Sequence, residues 1–230
     1  MTQLETLQIQ IIACRSCPRL VRWREKVARE KVKRFAAEEY WGKPNPSFGD
    51  PHARLLLVGL APAAHGGNRT GRMFTGDHSG DWLYRALYKA GFANQPLSLN
   101  RNDGLKLTDC YITATLRCAP PQNKPTPREI QNCSPYLLKE VELLKNVRVI
   151  VGLGRIGFDA ALSAYRELGR IEYVKKPKFG HEMVYDFGSL TFVASFHPSQ
   201  QNTFTGRLTE PMFDRVFRKV NEILAVERRV

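Results

Sequence analysis

Asp77 closes a long polar stretch, residues 59–77, that reads Gly-Leu-Ala-Pro-Ala-Ala-His-Gly-Gly-Asn-Arg-Thr-Gly-Arg-Met-Phe-Thr-Gly-Asp. A carboxylate just before a helix start is kept ionised by the helix dipole. In that state it orients water or stabilises positive charge, and it repels phosphate, so the stretch is not a plain phosphate cradle. The alternative is structural: Asp77 as an N-cap, or in a salt bridge to Arg69 or Arg72. Phe74, set in polar surroundings, is either a core anchor or a platform on which a base can stack. His197 ends an apolar run and is pinned by Pro198. It is either a packed residue or, in a cleft, a donor to a developing anion.

The cysteines carry a second possible chemistry. Cys14 and Cys17 form a C-x-x-C followed by Pro18, and Cys118 and Cys133 flank the proline-rich stretch 119–127. Soft thiolates bind zinc or iron–sulfur clusters. The spacing is not that of a two-knuckle zinc site, whereas iron–sulfur spacings are looser. Four buried thiols that never meet are the alternative. Cys110 stands alone in a strand pattern. A third motif, Gly152-Leu153-Gly154-Arg155-Ile156-Gly157, fits G-x-G-x-x-G, with Glu172 at the distance of a ribose contact. It follows the third strand pattern rather than the first, so a tight strand-to-helix turn is the better reading; a DNA phosphate on that helix start is another.

Composition sets the frame for these groups. The 230 residues suit one α/β domain. Five cysteines argue against a disulfide framework. No apolar run approaches a membrane span, and the N-terminus lacks a signal-peptide pattern, so the expectation is a cytoplasmic protein. A formal charge of +13 favours a polyanionic partner such as nucleic acid; an uninvolved basic surface is the alternative.

The elements that position these residues alternate. Helical spacing covers 3–13 (Leu4, Leu7, Ile11, Ile12) and delivers Cys14. A basic helix over 19–40 has Leu20, Trp23, Val27 and Phe35 inward and its arginines and lysines, Arg24 among them, as a solvated or DNA-facing surface. Residues 41–52, rich in proline, read as irregular. The run 54–60 reads as a buried strand. It leads to the polar stretch and a helix over 80–90 behind a Ser79 cap. A strand over 109–116 precedes a helix over 127–145, capped by Thr126 with Glu129 in a capping box. A strand over 147–153 precedes a helix over 156–168. Short strands over 182–187 and 190–196, then a helix over 211–226, complete the chain. Strands alternating with helices predict an α/β fold, a mostly parallel sheet flanked by helices on both faces.

The segments GLAPAAHGGNRTGRMFTGDHSG (59–80), YITATLRCAPPQNKPTP (111–127) and HPSQQNTFTGRLT (197–209), with Cys14-x-x-Cys17, closely resemble the family 5 (type B) uracil-DNA glycosylases. The resemblance spans nearly the whole chain. It implies a three-layer α/β/α fold around a central four-stranded parallel sheet. It also implies a single domain over 1–230, whose helical segment of about 1–40 is clipped on by a [4Fe–4S] cluster held by Cys14, Cys17, Cys118 and Cys133. Cys110 is left as core. It further implies a monofunctional enzyme that flips out and excises uracil, and other deaminated bases such as hypoxanthine, in base excision repair. DNA, double- or single-stranded, is then the partner and no membrane is involved; flipping a base needs no partner subunit, so a monomer is the expectation.

On that resemblance Asp77 serves the sugar side and His197 the carbonyl side of the base. Phe74 stacks on the base, Asn123 reads its edge, and the backbone of Gly59, Ala61 and Ala63 lines the pocket. Ala61 and Ala63 carry no water-activating group, which places that work on Asp77. Ala114 stands where a sister family has a base-reading Asn. Asn202, Phe204 and Arg207 contact DNA, Arg207 at a phosphate. Many relatives follow His-Pro-Ser with Pro-Leu, whose Leu wedges into the base stack; here Gln200 and Gln201 stand instead, and Phe204 or Gln201 fills the gap. Two other readings accompany the enzyme: a non-catalytic iron–sulfur DNA-binding protein, and a nucleotide-binding α/β enzyme using the glycines from Gly152.

Overall fold

The apolar runs of the sequence become the middle of one sheet. The structure, a computed structural model, describes residues 1–226. In chain order the elements are α1 (Gln3–Ala13), α2 (Pro18–Glu30), β1 (Phe48–Gly49), β2 (Leu55–Gly59), α3 (Gly67–Thr70) and α4 (His78–Lys89), then β3 (Cys110–Ala114), α5 (Pro127–Leu143), β4 (Val149–Leu153) and α6 (Arg155–Glu167), then β5 (Val184–Asp186), β6 (Thr191–Ser195), α7 (Gln200–Phe204) and α8 (Glu210–Val226). The sheet order is β1-β3-β2-β4-β6-β5. The four inner strands are parallel, and β1 and β5 pair antiparallel at the two edges. The α/β fold therefore holds, with six strands around the expected four.

Register explains why β2 and β4 read as unbroken apolar runs. Leu57 lies opposite Ile112 and Val151, and Val151 opposite Val193. Both faces of a parallel sheet are covered, so alternation is lost. One face buries Leu55, Leu57, Ile112 and Val151 against Leu83 and Leu87 of α4 and Phe213 and Phe217 of α8. The other buries Leu56, Val58 and Ile150 against Val141 of α5 and Phe158, Leu162 and Tyr165 of α6. Each such side chain contributes about 1.5–3 kcal/mol of burial. Cys110 lies in the first of these clusters, as expected.

Four local differences bear on the site. The basic helix stops at Glu30 rather than near 40, because Lys31 takes φ 54°. The chain turns out of the helix there, and Phe35 comes to lie under the Arg69 guanidinium at 3.8 Å. The inner face of α2 is Leu20, Val21, Arg24 and Val27, so Arg24 points inward and is not part of a solvated surface. The stretch 41–52 contains the edge strand β1. Helix α4 starts two residues earlier than expected, because Asp77, not Ser79, is its cap.

The N-terminal helices are tied to the rest by polar contacts. Gln8 Nε2 donates to Glu140 Oε1 at 2.8 Å, and Gln8 Oε1 accepts from the Ser47 amide at 2.7 Å. Arg19 grips Glu129 with two N–H groups, at 2.8 and 2.7 Å. Glu129 is at the same time half of the Thr126 capping box foreseen from the sequence.

Candidate active site

The carboxyl ends of β2, β4 and β6 converge on one region, where an open α/β sheet places its ligands. Gly59 ends β2, and a Cβ there would come within 2.9 Å of Phe74 Cζ; the missing side chain is the space that the ring fills. The Phe74 and His197 rings lie 5.8 Å apart, tilted by 31°. Gly154, just past β4, faces the Cβ of His197: a Cβ at Gly154 would sit 3.3 Å from it. The amide of Gly154 donates to the carbonyl of Ser195, at the end of β6.

Phe74 is 8% exposed and sits at φ 52°, in the left-handed region. That conformation costs a non-glycine residue about 1–3 kcal/mol and collects at functional sites. It is held by its neighbours. The Tyr84 hydroxyl donates to the Met73 carbonyl at 2.9 Å, and Gly80 packs so closely that a Cβ there would strike the Phe74 carbonyl oxygen at 1.9 Å. Phe74 is thus both core anchor and a ring facing His197.

Asp77 caps α4: Oδ1 accepts from the Gly80 amide at 3.0 Å. Its Oδ2 lies against Gly66, where a Cβ would come within 1.9 Å. Neither loop arginine neutralises it by contact. Arg69 pairs with Glu38 and donates to the Gly76 carbonyl; Arg72 pairs with Asp103 at 2.7 Å and donates to Thr75 and Ser98. Both guanidiniums are buried braces of the loop and are not turned to a phosphate. Loss of hydration lifts the Asp77 carboxyl to about 6, and the amides of Gly80 and Ser79 hold it from rising further. Burial lowers the His197 imidazolium to about 4, so the ring is neutral at neutral pH.

The segment after His197 folds back onto α4. Asn202 Nδ2 donates to the His197 carbonyl at 2.8 Å, so its amide braces the turn. Phe204, at the end of α7, is 73% exposed. Its ring lies 5.0 Å from His78, whose Nε2 is 2.8 Å from the Thr203 hydroxyl. Gln201 is exposed, and the exposed Arg207 lies over the Phe196 ring at 4.5 Å. Ala61 and Ala63 line the start of the 59–77 loop, and the Ala63 carbonyl accepts from Asn68 at 3.0 Å. Asn123 is exposed at φ 56° beyond β3, and its side chain has no hydrogen-bond partner among the described residues.

The remaining motifs separate clearly. Gly152 and Gly157 are packing glycines: a Cβ would meet Phe158 Cα at 2.4 Å and the Val58 carbonyl at 2.3 Å respectively. Glu172 is exposed and outside any strand. The strand-to-helix reading accounts for the glycine motif without a dinucleotide. The four cysteines, by contrast, meet: Cys14, Cys17, Cys118 and Cys133 line one enclosed cavity with Leu20, Arg24, Pro44, Arg117 and Tyr136. Among the described residues no group of three ligands is tight enough for a single metal ion. Four thiols lining one cavity are the donor set that an iron–sulfur cluster takes. Burial raises the Cys118 thiol to about 11 and the Cys133 thiol to about 12; ligation is what would deprotonate such groups.

The groups that sequence reasoning missed are Arg24, His78, Gly66 and the buried Arg117–Glu140 pair. Only Arg24 had a signal, its place in the stripe Leu20, Arg24, Val27.

Comparison with known proteins follows the same outline. The model of the Uracil DNA glycosylase superfamily matches residues 46–224. A type-5 uracil-DNA glycosylase of Mycobacterium tuberculosis is 49% identical over 223 residues, 96% of this chain and 82% of that protein. One from Thermus thermophilus is 49% identical over 93% of this chain and 94% of its own. One from Pyrobaculum aerophilum is 42% identical over 91% and 88%.

Proposed function

Because this chain belongs to the Uracil DNA glycosylase superfamily, and within it to the type-5 uracil-DNA glycosylases, we propose how its own residues divide the work. The protein excises uracil from DNA by hydrolysing the bond between deoxyribose and base. The observation that carries the division of labour is the packing of Gly59, Phe74 and His197 at the strand ends, joined through Gly80 to the capping Asp77.

A base cannot be reached inside the duplex, so it is flipped out. The extruded uracil lies against the Phe74 ring beside the Gly59 backbone. As the glycosidic bond lengthens, positive charge grows on the sugar and negative charge on the base. Asp77, ionised at neutral pH because its carboxyl titrates near 6, stabilises the sugar cation and orients the water that adds to it. That water gives its proton to the Asp77 carboxylate as the new C–O bond forms; the carboxyl returns it to solvent, from which the departed base is protonated. His197, neutral down to about pH 4, donates a hydrogen bond to the uracil carbonyl, and the base departs as a stabilised anion. Donors of this kind, fixed before the reaction, are worth roughly a hundredfold or more in rate each.

The finer assignments are also part of the proposal. Asn123, free of internal partners, turns to the base edge when DNA binds, since an amide both donates and accepts. Phe204 enters the gap in the stack, and Arg207 holds a neighbouring phosphate. Cys14, Cys17, Cys118 and Cys133 would hold a [4Fe–4S] cluster, whose contribution is to tie the N-terminal helices to the loop before α5. Hypoxanthine and other deaminated bases are further substrates. The protein works as a cytoplasmic monomer and a single domain.

The test uses a duplex oligonucleotide with one uracil, and a second with one hypoxanthine. Release leaves an alkali-labile site and no direct nick. Asp77→Ala lowers turnover roughly a hundredfold or more with DNA binding intact; unchanged turnover would make Asp77 purely a helix cap.

A further inference from the structure

Among the described residues four arginines are buried: Arg24, Arg69, Arg72 and Arg117. Three of them have a carboxylate partner: Glu38 for Arg69, Asp103 for Arg72 and Glu140 for Arg117. Arg24 has none among the described residues, although it is only 2% exposed. Its Nη1 donates to Cys118 Sγ at 2.8 Å and its Nη2 to the Cys14 carbonyl at 3.2 Å. Its Nε, also buried, has no partner. The Asn68 amide, from the 59–77 loop, donates to the Arg24 carbonyl at 3.2 Å and fixes the backbone there.

A guanidinium does not give up its proton in a protein. Left buried without a counter-charge it costs several kcal/mol. The outer side supplies no ion pair to Arg24; its acid, Glu25, acts on Arg24 only through space. Arg24 is the wall between the cysteine cavity and an open groove whose charged rim is Arg15, Arg29, Lys43 and Glu25. Glu25, the one acid there, pairs with Arg15 at 2.6 Å. The inner side can supply an anion. Four thiolates around a core of charge +2 carry a net charge of −2, in a cage that Arg24 lines.

We propose that Arg24 is the internal counter-ion of the cluster held by Cys14, Cys17, Cys118 and Cys133, stabilising its negative charge through the Cys118 sulfur; this rests on the cluster reading given above. It follows that Arg24 both retains the cluster and raises its reduction potential, because adding an electron increases the charge that Arg24 offsets. Charge and hydrogen bonds at the sulfurs are recognised determinants of that potential. Arg117 lines the same cavity, but its charge is already matched by Glu140.

The test compares wild type with Arg24→Met, Arg24→Gln and Arg24→Lys, all purified without oxygen. The readouts are iron content, the rate of iron loss to a chelator, and the midpoint potential from a dye-mediated titration with dithionite. Arg24→Met and Arg24→Gln should make one-electron reduction at least tenfold less favourable, a midpoint lower by 59 mV, and should release iron at least tenfold faster. Arg24→Lys, which keeps the charge, should recover at least half of the shift. If the Met variant does not fold, the Gln and Lys pair makes the same comparison. An iron-loaded Met or Gln variant with wild-type potential and release rate overturns the counter-ion and leaves the cluster standing. Equal loss in all three variants assigns Arg24 to packing and also overturns it. Wild-type protein without iron removes the cluster reading itself, and the counter-ion with it.

Discussion

Gly66→Ala moves the Asp77 carboxylate while leaving the acid in place. The added Cβ would stand 1.9 Å from Asp77 Oδ2, 2.7 Å from Cγ and 2.8 Å from Cβ, whereas ordinary contact begins at 3.4 Å. The carboxylate must therefore withdraw by about 1.5 Å. It cannot do so freely, since Oδ1 is held by the Gly80 amide. Gly66 has φ −103°, so alanine brings no left-handed strain of its own. A misplacement of about 1 Å in a catalytic group costs on the order of 10²-fold in rate, equivalent to about 2.7 kcal/mol in the barrier. Partial loss of the cap adds about 1 kcal/mol of lost stability. The assay is single-turnover release of uracil from a duplex carrying one uracil, with binding followed by fluorescence anisotropy and folding by thermal melt. The expected result is turnover lower by about 10²-fold, near-normal binding and a melt lowered by a few degrees. A folded Gly66→Ala protein within about threefold of wild type would refute the placement of Asp77 as the group acting at the sugar.

Three further outcomes follow from the same geometry. Phe204→Ala should slow uracil release from duplex about tenfold and leave single-stranded substrate unaffected, because only a duplex has a stack to fill; equal losses on both would end the wedge assignment. His78→Ala frees Thr203 and the Phe204 ring, so it should mimic Phe204→Ala on duplex, and the double variant should be little worse than either single one; additive losses would separate the two residues. Glu140→Gln leaves the Arg117 guanidinium buried without its counter-charge, beside Ser47, Thr113 and Gln8, which now share Glu140. Denaturant unfolding should lose about 3–5 kcal/mol, and a loss below about 1 would contradict that role.

The parallel sheet was legible because burial on both faces leaves continuous runs such as Leu55-Leu56-Leu57-Val58, and the Thr126–Glu129 capping box because capping is local chemistry. The loop carrying Phe74 and Asp77 was legible as a site because it follows a strand end. Its arginines were not. Arg69 and Arg72 read in sequence as salt-bridge partners of Asp77, yet each is consumed by a distant acid, Glu38 and Asp103. Such pairing is tertiary and leaves no local mark. The end of α2 at Glu30 was missed for a like reason: Phe35 is drawn to Arg69 across the fold. The contact of Gly66 with Asp77 joins two positions of one loop whose path no periodicity encodes. Arg24 was read with its basic neighbours by charge, when its position between Leu20 and Val27 marked the buried side.

The pH dependence of uracil release tests the role of Asp77 most directly. The raised carboxyl must be ionised to act, so wild-type turnover should be level at neutral pH and fall tenfold per unit below about pH 6. His197 stays neutral throughout that range, since its ring titrates near 4. Asp77→Asn should be roughly a hundredfold slower and flat across the same range. A limb near pH 6 that survives in Asp77→Asn, or is missing from wild type, would assign the reaction to another group.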